Sequence, residues 1–305
     1  MPSVTETKQW DPVVTLWLCL VQVLGLAGIA YLVFWRHDWR TIAFTITLVV
    51  LSGFCITGGY HRHFTHQSFK CARWLKYYFI CGGAASGQGP ALVWIANHCE
   101  HHRFSDKAGD PHNIHDGFWW AHMGWMFYRH APDLEGLPDS LRKKPGQPNP
   151  DRDLLAWQHR HHPSLMFVFA VALPVLVAGL GWGDWWGGFL VAFALRLAYQ
   201  YHVTWSINSL SHTFGEKFYD LKTSATDGYL WVFRHVLGLV TLGEVYHNFH
   251  HRFANDYRNG PNWYDFDVTK IIIKGLSYCR VTWDLVTRPA SELARAREET
   301  RLGLI

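Results

Sequence analysis

The chain has 305 residues, of which 49% are hydrophobic and 16% aromatic, and its formal net charge is +4. This length suits one large domain or two small ones, and so mild a charge gives no reason to expect a nucleic-acid partner. Tryptophan rings are amphipathic and are enriched at membrane–water boundaries, so the seventeen tryptophans of this chain are typical of a membrane protein. The six cysteines are scattered without a C-x-x-C pair, which argues against a disulfide framework and suits a reducing compartment.

Four apolar runs predict transmembrane helices. They cover about residues 13–35, 41–60, 163–183 and 185–207, and the fourth carries a single charge at Arg196. A membrane span needs about 20 apolar residues, and all four runs come close to that length. The alternative is a soluble protein with buried helices, which four runs of this length disfavour.

The runs pair into two hairpins, with short turns at 36–40 and 183–184. Of the 28 lysines and arginines, twelve lie in residues 61–163 and twelve in residues 206–305, whereas the two turns together hold two. Positive charge favours the cytosolic side of a membrane. We therefore expect both polar regions, with every histidine cluster, in the cytosol.

The predicted fold class is thus all-α and integral to the membrane. We expect a single domain covering residues 1–305, in which residues 61–162 and 208–305 form a cytosolic helical cap. Within the cap, residues 74–96 are apolar but interrupted by glycines and a proline, which predicts a re-entrant or interfacial helix. Residues 131–152 are rich in proline, glycine and charge and predict a surface linker.

Histidine clusters dominate the polar regions. The motifs HRHFTH, HCEHH and HNFHH supply eight candidate ligands, namely His61, His66, His98, His101, His102, His247, His250 and His251. On a helix, positions i, i+3 and i+4 lie on one face, so each H-x-x-H-H motif is expected to present three rings to a common point. Imidazole suits iron, zinc, copper and nickel. Eight rings exceed what one ion can use, which predicts a site for two metal ions.

Two further groups of residues bear on this site. Asn208 and His212 share one helix face at the end of the fourth run, so His212 is a ninth candidate imidazole and Asn208 a weak or water-mediated ligand. His159, His161 and His162 border the third run, and we interpret them as part of a headgroup surface. The isolated histidines are interpreted as surface or hydrogen-bonded residues: His37, His63, His112, His115, His122, His130, His202 and His235.

Several other metal chemistries lack their motifs. No H-E-x-x-H is present, so a zinc protease is unsupported. The H-x-E at residues 98–100 has no downstream P-C-x-x-C, as a zinc deaminase would require. An all-imidazole site without bridging carboxylates also differs from the soluble carboxylate di-iron bundles.

In order and context, these motifs resemble the integral-membrane fatty acyl desaturases of the stearoyl-CoA desaturase type. The resemblance covers about residues 45–285 and includes GDPHN at 109–113, GFWWAHMGW at 117–125 and DYRNG at 256–260. It implies four transmembrane helices under a cytosolic cap, with two iron ions held by nine histidines and a water-linked asparagine. The ten implied ligands are His61, His66, His98, His101, His102, Asn208, His212, His247, His250 and His251.

The resemblance also implies oxygen-dependent desaturation of a long-chain fatty acyl substrate at a mid-chain position. Two electrons per turnover would come from an external donor of the ferredoxin, rubredoxin or cytochrome b5 type. An apolar tunnel would run from the metal site into the membrane half, close to membrane lipid. Trp94 and Trp205 match tryptophans that line this tunnel in the family.

The carrier of the acyl chain stays open. Animal acyl-CoA desaturases have an Arg-Asp pair before the second motif, where this chain has Ala96 and Asn97. Arg129 matches one of their paired basic residues, but its neighbour here is His130. We therefore expect Asn97 and Arg129 near the head group, which is coenzyme A, a membrane lipid or another carrier. SGQGP at 86–90 is similar to bacterial members, which points to a bacterial inner membrane.

Two other functions are compatible with parts of this pattern. The same di-iron site could serve a decarboxylase that forms terminal alkenes or a hydroxylase, but Asn208 and DYRNG favour desaturation, and the alkane-hydroxylase motif N-Y-x-E-H-Y-G is missing. A non-catalytic, histidine-rich protein that stores or carries metal is the other alternative. No polar ladder crosses the first three runs, which argues against a metal-conducting pore.

Overall fold

The computed structural model describes residues 8–131, 133–144, 146–228 and 231–304. Within these ranges, three helices are long and apolar enough to cross a membrane, at Pro12–Phe34, Trp39–Thr65 and Pro150–Trp182. The first is α1. The second consists of α2 (Trp39–Phe54) and a wide π-helical continuation (Cys55–Thr65), and the third of α6 (Pro150–Met166), a π-helical part (Phe167–Ala172) and α7 (Leu173–Trp182).

Helix α1 begins where its sequence supplies a cap. The Asp11 carboxylate accepts hydrogen bonds from the backbone N–H groups of Val13 and Val14, and Pro12 occupies the first helical position. Large apolar side chains on this helix remain exposed, among them Leu16 at 70% and Leu26 at 67%. In water such exposure would be costly, whereas lipid accommodates it at no cost.

The fourth apolar run also forms a continuous helix, from α8 (Trp185–Gly187) through a π-helical part (Gly188–Leu195) to α9 (Arg196–Ser209). It is less apolar than the other three because its second half contains Arg196, Gln200 and His202. Arg196 is buried, and its guanidinium donates to the carbonyl oxygens of Ala85 (2.9 Å) and Ala192 (2.8 Å) and to Gln200 Oε1 (2.9 Å). The charge is thus satisfied inside the protein, away from the lipid-facing surface.

The two hairpins meet at the end of the bundle away from the histidine motifs. Asp184, which is buried, caps α8 and accepts hydrogen bonds from Tyr31 Oη (2.6 Å) on α1 and Thr41 Oγ1 (2.5 Å) on α2. Farther along α1, Gly28 lies so close to the fourth helix that a Cβ there would stand 2.3 Å from the carbonyl oxygen of Leu190. One carboxylate and one glycine therefore fix how the hairpins pack.

The remaining helices surround the histidine motifs: α3 (Arg73–Ala85), α4 (Ala91–Phe104), α5 (Phe118–His122), α10 (Trp231–Val240), α11 (His247–Arg252), α12 (Val268–Tyr278) and α13 (Ala290–Arg301). Residues 74–96 thus belong to two helices, α3 and α4, rather than to one re-entrant helix. The break falls at Gly87 and Gly89, which have positive φ, and at Pro90. A short antiparallel ladder pairs β1 (Lys70–Cys71) with β2 (Thr282–Trp283) and ties the cap's late segment to α3.

Candidate metal centre

His61 and His66 share a face because the helix that carries them is a π-helix. In a π-turn the backbone bonds run from residue i to i+5, and the N–H of His66 donates to the carbonyl of His61 (3.1 Å). The two imidazole rings consequently lie 4.8 Å apart. In an α-helix a spacing of five residues would turn the two side chains well away from each other. The H-x4-H spacing is therefore matched to the local backbone.

The structure gathers nine histidines into two groups. The five-histidine group contains His61, His66, His98, His102 and His250. The four-histidine group contains His101, His212, His247 and His251. Within each group the candidate ligand nitrogens all lie within 4.8 Å of one another.

Each H-x-x-H-H motif is divided between the two groups. In α4, His98 and His102 join the five-histidine group and His101 joins the other; in α11, His247 and His251 join the four-histidine group and His250 joins the other. The expectation that each motif presents three rings to a common point was wrong. On an α-helix, position i+4 lies about 40° to one side of position i and position i+3 about 60° to the other, so the ring at i+3 points away from the ring at i+4.

The ring contacts point to shared cations rather than to hydrogen bonds. The Nε2 atom of His102 lies 3.1 Å from Nε2 of His98 and 2.9 Å from Nε2 of His250, which in turn is 3.0 Å from Nε2 of His61. A ring nitrogen carries either one hydrogen or one lone pair, so it cannot serve two such neighbours well. A metal ion between the nitrogens would satisfy all of them at once.

The four-histidine group has similar spacings. Nε2 of His247 lies 3.0 Å from Nε2 of both His212 and His251, and Nε2 of His251 lies 3.3 Å from that of His101. Two imidazole nitrogens about 2.1 Å from one ion lie about 3.0 Å apart at right angles and about 3.4 Å apart in a tetrahedron. Spacings in this range fit nitrogens that share one metal ion.

Burial keeps these rings in the neutral form that binds metal. It is the main cause that lowers the pKa of His102 to about 3 and that of His212 to about 4, from an ordinary value near 6.5. The pKa values of His66, His98 and His247 are lowered for the same reason. Neutral imidazoles offer a lone pair, as metal ligation requires.

Carboxylates stand behind the rings and hold them from the outside. Asp110, from the GDPHN motif, lies 2.9 Å from Nδ1 of His101, and Glu244 lies 2.8 Å from Nδ1 of His61. Nδ1 of His212 lies 2.6 Å from Ser224 Oγ, which donates to Asp106. Such partners fix which ring nitrogen faces a metal. Sequence reasoning missed all three carboxylates, because nothing in their spacing relates them to the histidines.

His112 also differs from its interpretation as an isolated surface or hydrogen-bonded histidine. It is buried and forms a third cluster with His101 and Asp110, and its ring lies 4.2 Å from that of His101. Among the described residues its Nδ1 has no hydrogen-bond partner. By contrast, His161 is exposed and bonds the carbonyl of Trp157, which agrees with its assignment to the surface.

An apolar cavity of about 840 Å³ adjoins the metal centre. Its walls come from α1, α4, α6 and α9 and from residues 125–130, and His98 and His112 form part of them. All four predicted substrate contacts line it, namely Trp94, Asn97, Arg129 and Trp205. Asn208 lines it too, outside both histidine groups. A volume of this size is typical of a small-molecule site.

Individual wall residues differ in surroundings. Trp94 stacks on His98 with ring centroids 5.0 Å apart, and Trp205 Nε1 donates to Met126 Sδ. Arg129 is 56% exposed at the rim and lies 3.9 Å from Asp11. A second, smaller pocket of about 260 Å³ adjoins the cavity at this rim, and the charged side chains of Glu100 and Arg129 line it. The apolar wall and the polar rim suit a long apolar chain with a polar head.

Comparison with known proteins identifies the family. Residues 37–265 match the family model described as fatty acid desaturase. The chain is 36% identical to a probable acyl-CoA desaturase of Schizosaccharomyces pombe, over 97% of this chain and 63% of that protein. It is 33% identical to acyl-CoA desaturase 1 of Saccharomyces cerevisiae, over 88% of this chain and 51% of that protein. The sn-1 stearoyl-lipid 9-desaturase of Synechocystis is 31% identical, over 84% of this chain and 75% of that protein.

The chain thus spans between about half and two thirds of the length of the two yeast relatives. Its similarity to the cyanobacterial protein covers most of both chains. The matched segment contains every member of the two histidine groups. The chain therefore belongs to the fatty acid desaturase family.

Proposed function

We propose that this chain is a membrane di-iron fatty acyl desaturase that introduces a double bond at a mid-chain position, using oxygen and two external electrons. One observation carries the proposal: an apolar cavity adjoins the five-histidine group, because His98 belongs both to that group and to the cavity wall. A bound acyl chain would therefore pass beside the metal centre. The relatives, named as acyl-CoA and stearoyl-lipid desaturases, support the same reaction.

Two iron ions fit the donor set. Nine neutral imidazoles in two groups suit two divalent first-row metal ions. When bound, the irons would supply the oxygen-activating chemistry that an unactivated methylene pair requires, because no acid or base of a protein removes such hydrogens. We assign one iron to each histidine group, and we assign Asn208 as a ligand that acts through water.

The chain's own residues would bind and orient the substrate. Trp94, held over His98, would fix which carbons lie beside the metal centre. Trp205 would line the chain's path, and Asn97 and Arg129 at the rim would contact the carrier. That carrier is an acyl-CoA thioester or a membrane lipid, the two substrate classes named among the relatives.

The proposal includes the arrangement in the membrane. The three apolar helices and the helix of α8 and α9 would form four spans of a single domain in a bacterial inner membrane, with the histidine groups on the cytosolic side. An external donor of the ferredoxin, rubredoxin or cytochrome b5 type would deliver electrons there. The distribution of lysine and arginine supports this orientation.

The proposal is tested by the fatty acids of cells that express the chain. The intact chain should yield a new monounsaturated acid, located by mass spectrometry. His250→Ala should abolish it, since it removes an Nε2 that lies between those of His61 and His102. His161→Ala is the matched control, because this histidine is exposed, and should leave the product unchanged.

Other outcomes would reassign the reaction. Terminal alkenes or hydroxy acids would keep the metal centre and identify a decarboxylase or a hydroxylase. Full product from His250→Ala would contradict the metal centre itself. Iron that exchanges freely, with no oxygen consumed by purified protein and a chemical reductant, would favour a metal-storage protein. The acyl-sized cavity beside the histidines argues against that last function.

A further inference from the structure

Glu244 lies directly behind the five-histidine group. Its Oε2 atom stands 2.8 Å from Nδ1 of His61 and accepts a hydrogen bond from Asn259 Nδ2 (3.0 Å). Its Oε1 atom accepts from Arg62 Nη2 (3.0 Å). Both carboxylate oxygens thus face donors, and the carboxylate has little freedom to turn.

The partners of Glu244 are themselves held in place. Arg62 is 1% exposed, and its Nη1 atom pairs with Asp267 (3.0 Å) and donates to the carbonyl of Tyr257 (2.9 Å). The backbone N–H of Asn259 donates to Asp267 Oδ2 (2.7 Å). Tyr257 and Asn259 belong to the DYRNG motif at residues 256–260, which makes no contribution to either histidine group. The motif instead supports the carboxylate behind one of them.

Charge balance gives this arrangement a consequence. Nine neutral imidazoles bring no negative charge, and a cation in a buried site is costly unless a countercharge is close. Glu244 provides one beside the five-histidine group, where it forms an ion pair with the buried Arg62 (3.0 Å). Asp110 has the corresponding position behind His101 of the four-histidine group. Each group therefore has a carboxylate of its own.

We propose that Glu244, fixed by Arg62 and Asn259, is a positioning residue that sets the metal affinity of the five-histidine group, as Asp110 does for the four-histidine group. The inference rests on the proposed function only in that the two groups hold metal ions. Glu244 orients the His61 ring so that Nε2 faces inward, and its charge offsets that of the bound ion.

Glu244→Gln tests this role while keeping the side-chain size. In glutamine an NH2 group replaces one carboxylate oxygen. This group must face either Arg62 or both His61 and Asn259, and all three of these residues are donors. The network therefore loses a hydrogen bond as well as its negative charge. We expect one ion per chain to bind about 10–100-fold more weakly while the other keeps its affinity. Asn259→Ala, which keeps the charge, should weaken the same ion less. Glu135→Gln, at an exposed site, is the matched control and should change neither.

The measurement is an anaerobic titration of purified metal-free protein with Co²⁺ alone, followed by visible absorption, with the bound metal counted by mass spectrometry. In Glu244→Gln the weakened ion should be that of the five-histidine group. Combining it with His247→Ala, which damages the four-histidine group, should therefore leave no tight ion. Combining it with His66→Ala should still leave one. For Asp110→Asn the expectation is reversed. Combining it with His66→Ala should leave no tight ion, and combining it with His247→Ala should still leave one.

The outcomes separate this inference from the proposed function. Two tight ions in Glu244→Gln would overturn the inference and leave the metal centre intact. Weakening of both ions would also overturn it, because the residue would then support the cap as a whole. Failure of the unmodified chain to bind two ions would instead contradict the di-metal centre, whatever the variants do. A thermal midpoint for each metal-free variant confirms that the protein titrated is folded.

Discussion

At the scale of single residues, a short chain of hydrogen bonds fixes the wall of the apolar cavity. Gln88 Nε2 donates to Thr204 Oγ1 (2.8 Å), and Gln88 Oε1 accepts from Trp94 Nε1 (3.2 Å). Trp94 in turn stacks on His98 of the five-histidine group. Thr204 on α9 thus determines, through Gln88, where the Trp94 indole lies relative to the five-histidine group.

We expect Thr204→Val to loosen this wall and to spread the double bond over neighbouring positions. The substitution keeps the shape but leaves the Gln88 amide without its acceptor, which costs about 0.5–1.5 kcal/mol and hence shifts product ratios up to about tenfold. The check is double-bond localisation by mass spectrometry. Thr47→Val is the control, because Thr47 only bonds the carbonyl of Ala43 within α2. A single product position in Thr204→Val would contradict this account.

The candidate metal ligands were more predictable than the residues that support them. The nine histidines could be identified from motif spacing and resemblance, and the structure brings all nine together. Asp106, Asp110 and Glu244 could not, because each reaches its histidine through the folded cap rather than along the chain. Glu244 is 183 residues from His61 along the chain, and no local pattern encodes such a contact. Their roles as metal supports remain predictions.

At the scale of elements, close packing between α1 and the fourth helix depends on Gly28. A Cβ at this position would lie 2.3 Å from the backbone oxygen of Leu190, which cannot move aside as a flexible side chain can. Gly181 in α7 has no atom within 4 Å of its virtual Cβ and offers a matched comparison.

Gly28→Ala should therefore destabilise the protein, and Gly181→Ala should not. We expect the first change to lower the free energy of unfolding by about 1–3 kcal/mol through overpacking. The second should be neutral or stabilising by up to about 1 kcal/mol, because alanine is the better helix former. Thermal unfolding in detergent measures both. Equal midpoints for the two variants would show that α1 and the fourth helix pack more loosely than described.

The elements were predictable from the sequence where hydrophobic length decides them. The first three apolar runs correspond to helices, but only the first has nearly the expected bounds: the second continues to Thr65, and the third begins at Pro150, well before residue 163. The π-helical character of Cys55–Thr65 was not predicted from the sequence. The H-x4-H spacing fits a π-helix, but the spacing alone does not identify one. The division of each H-x-x-H-H motif between the two histidine groups was also not predicted. The angle between positions i+3 and i+4 matters only when two ions lie on different sides of the helix.

At the scale of the whole molecule, the buried histidines make stability depend on pH. Burial lowers the pKa of both His112 and His212 to about 4, whereas an unfolded histidine titrates near 6.5. Between these values the unfolded chain binds more protons, so the free energy of unfolding falls as the pH falls. Burial raises the pKa of Asp110, and that of Asp227 to about 7, so these two carboxyl groups act in the opposite direction, but the buried histidines outnumber them.

Metal-free protein should consequently lose stability between pH 6.5 and pH 4, by about 1.4 kcal/mol per pH unit for each such histidine. Bound metal should delay the loss, since protons must then compete with the ion for each ring nitrogen. Denaturation in detergent at several pH values, with and without a chelator, checks both statements. A flat profile for the metal-free protein would contradict the burial of neutral histidines.

The anchoring of both hairpins on Asp184 limits how the molecule can open. This carboxylate joins α1, α2 and α8 at the end away from the histidines, so the helices cannot separate there without exposing a buried charge. Near the cavity, α1 and α9 are joined by softer links, such as Trp17 Nε1 to Tyr201 Oη (3.0 Å). We therefore expect the bundle to open at the cavity end, between α1 and α9, and not at Asp184, so that a long product would leave sideways into the bilayer rather than lengthwise.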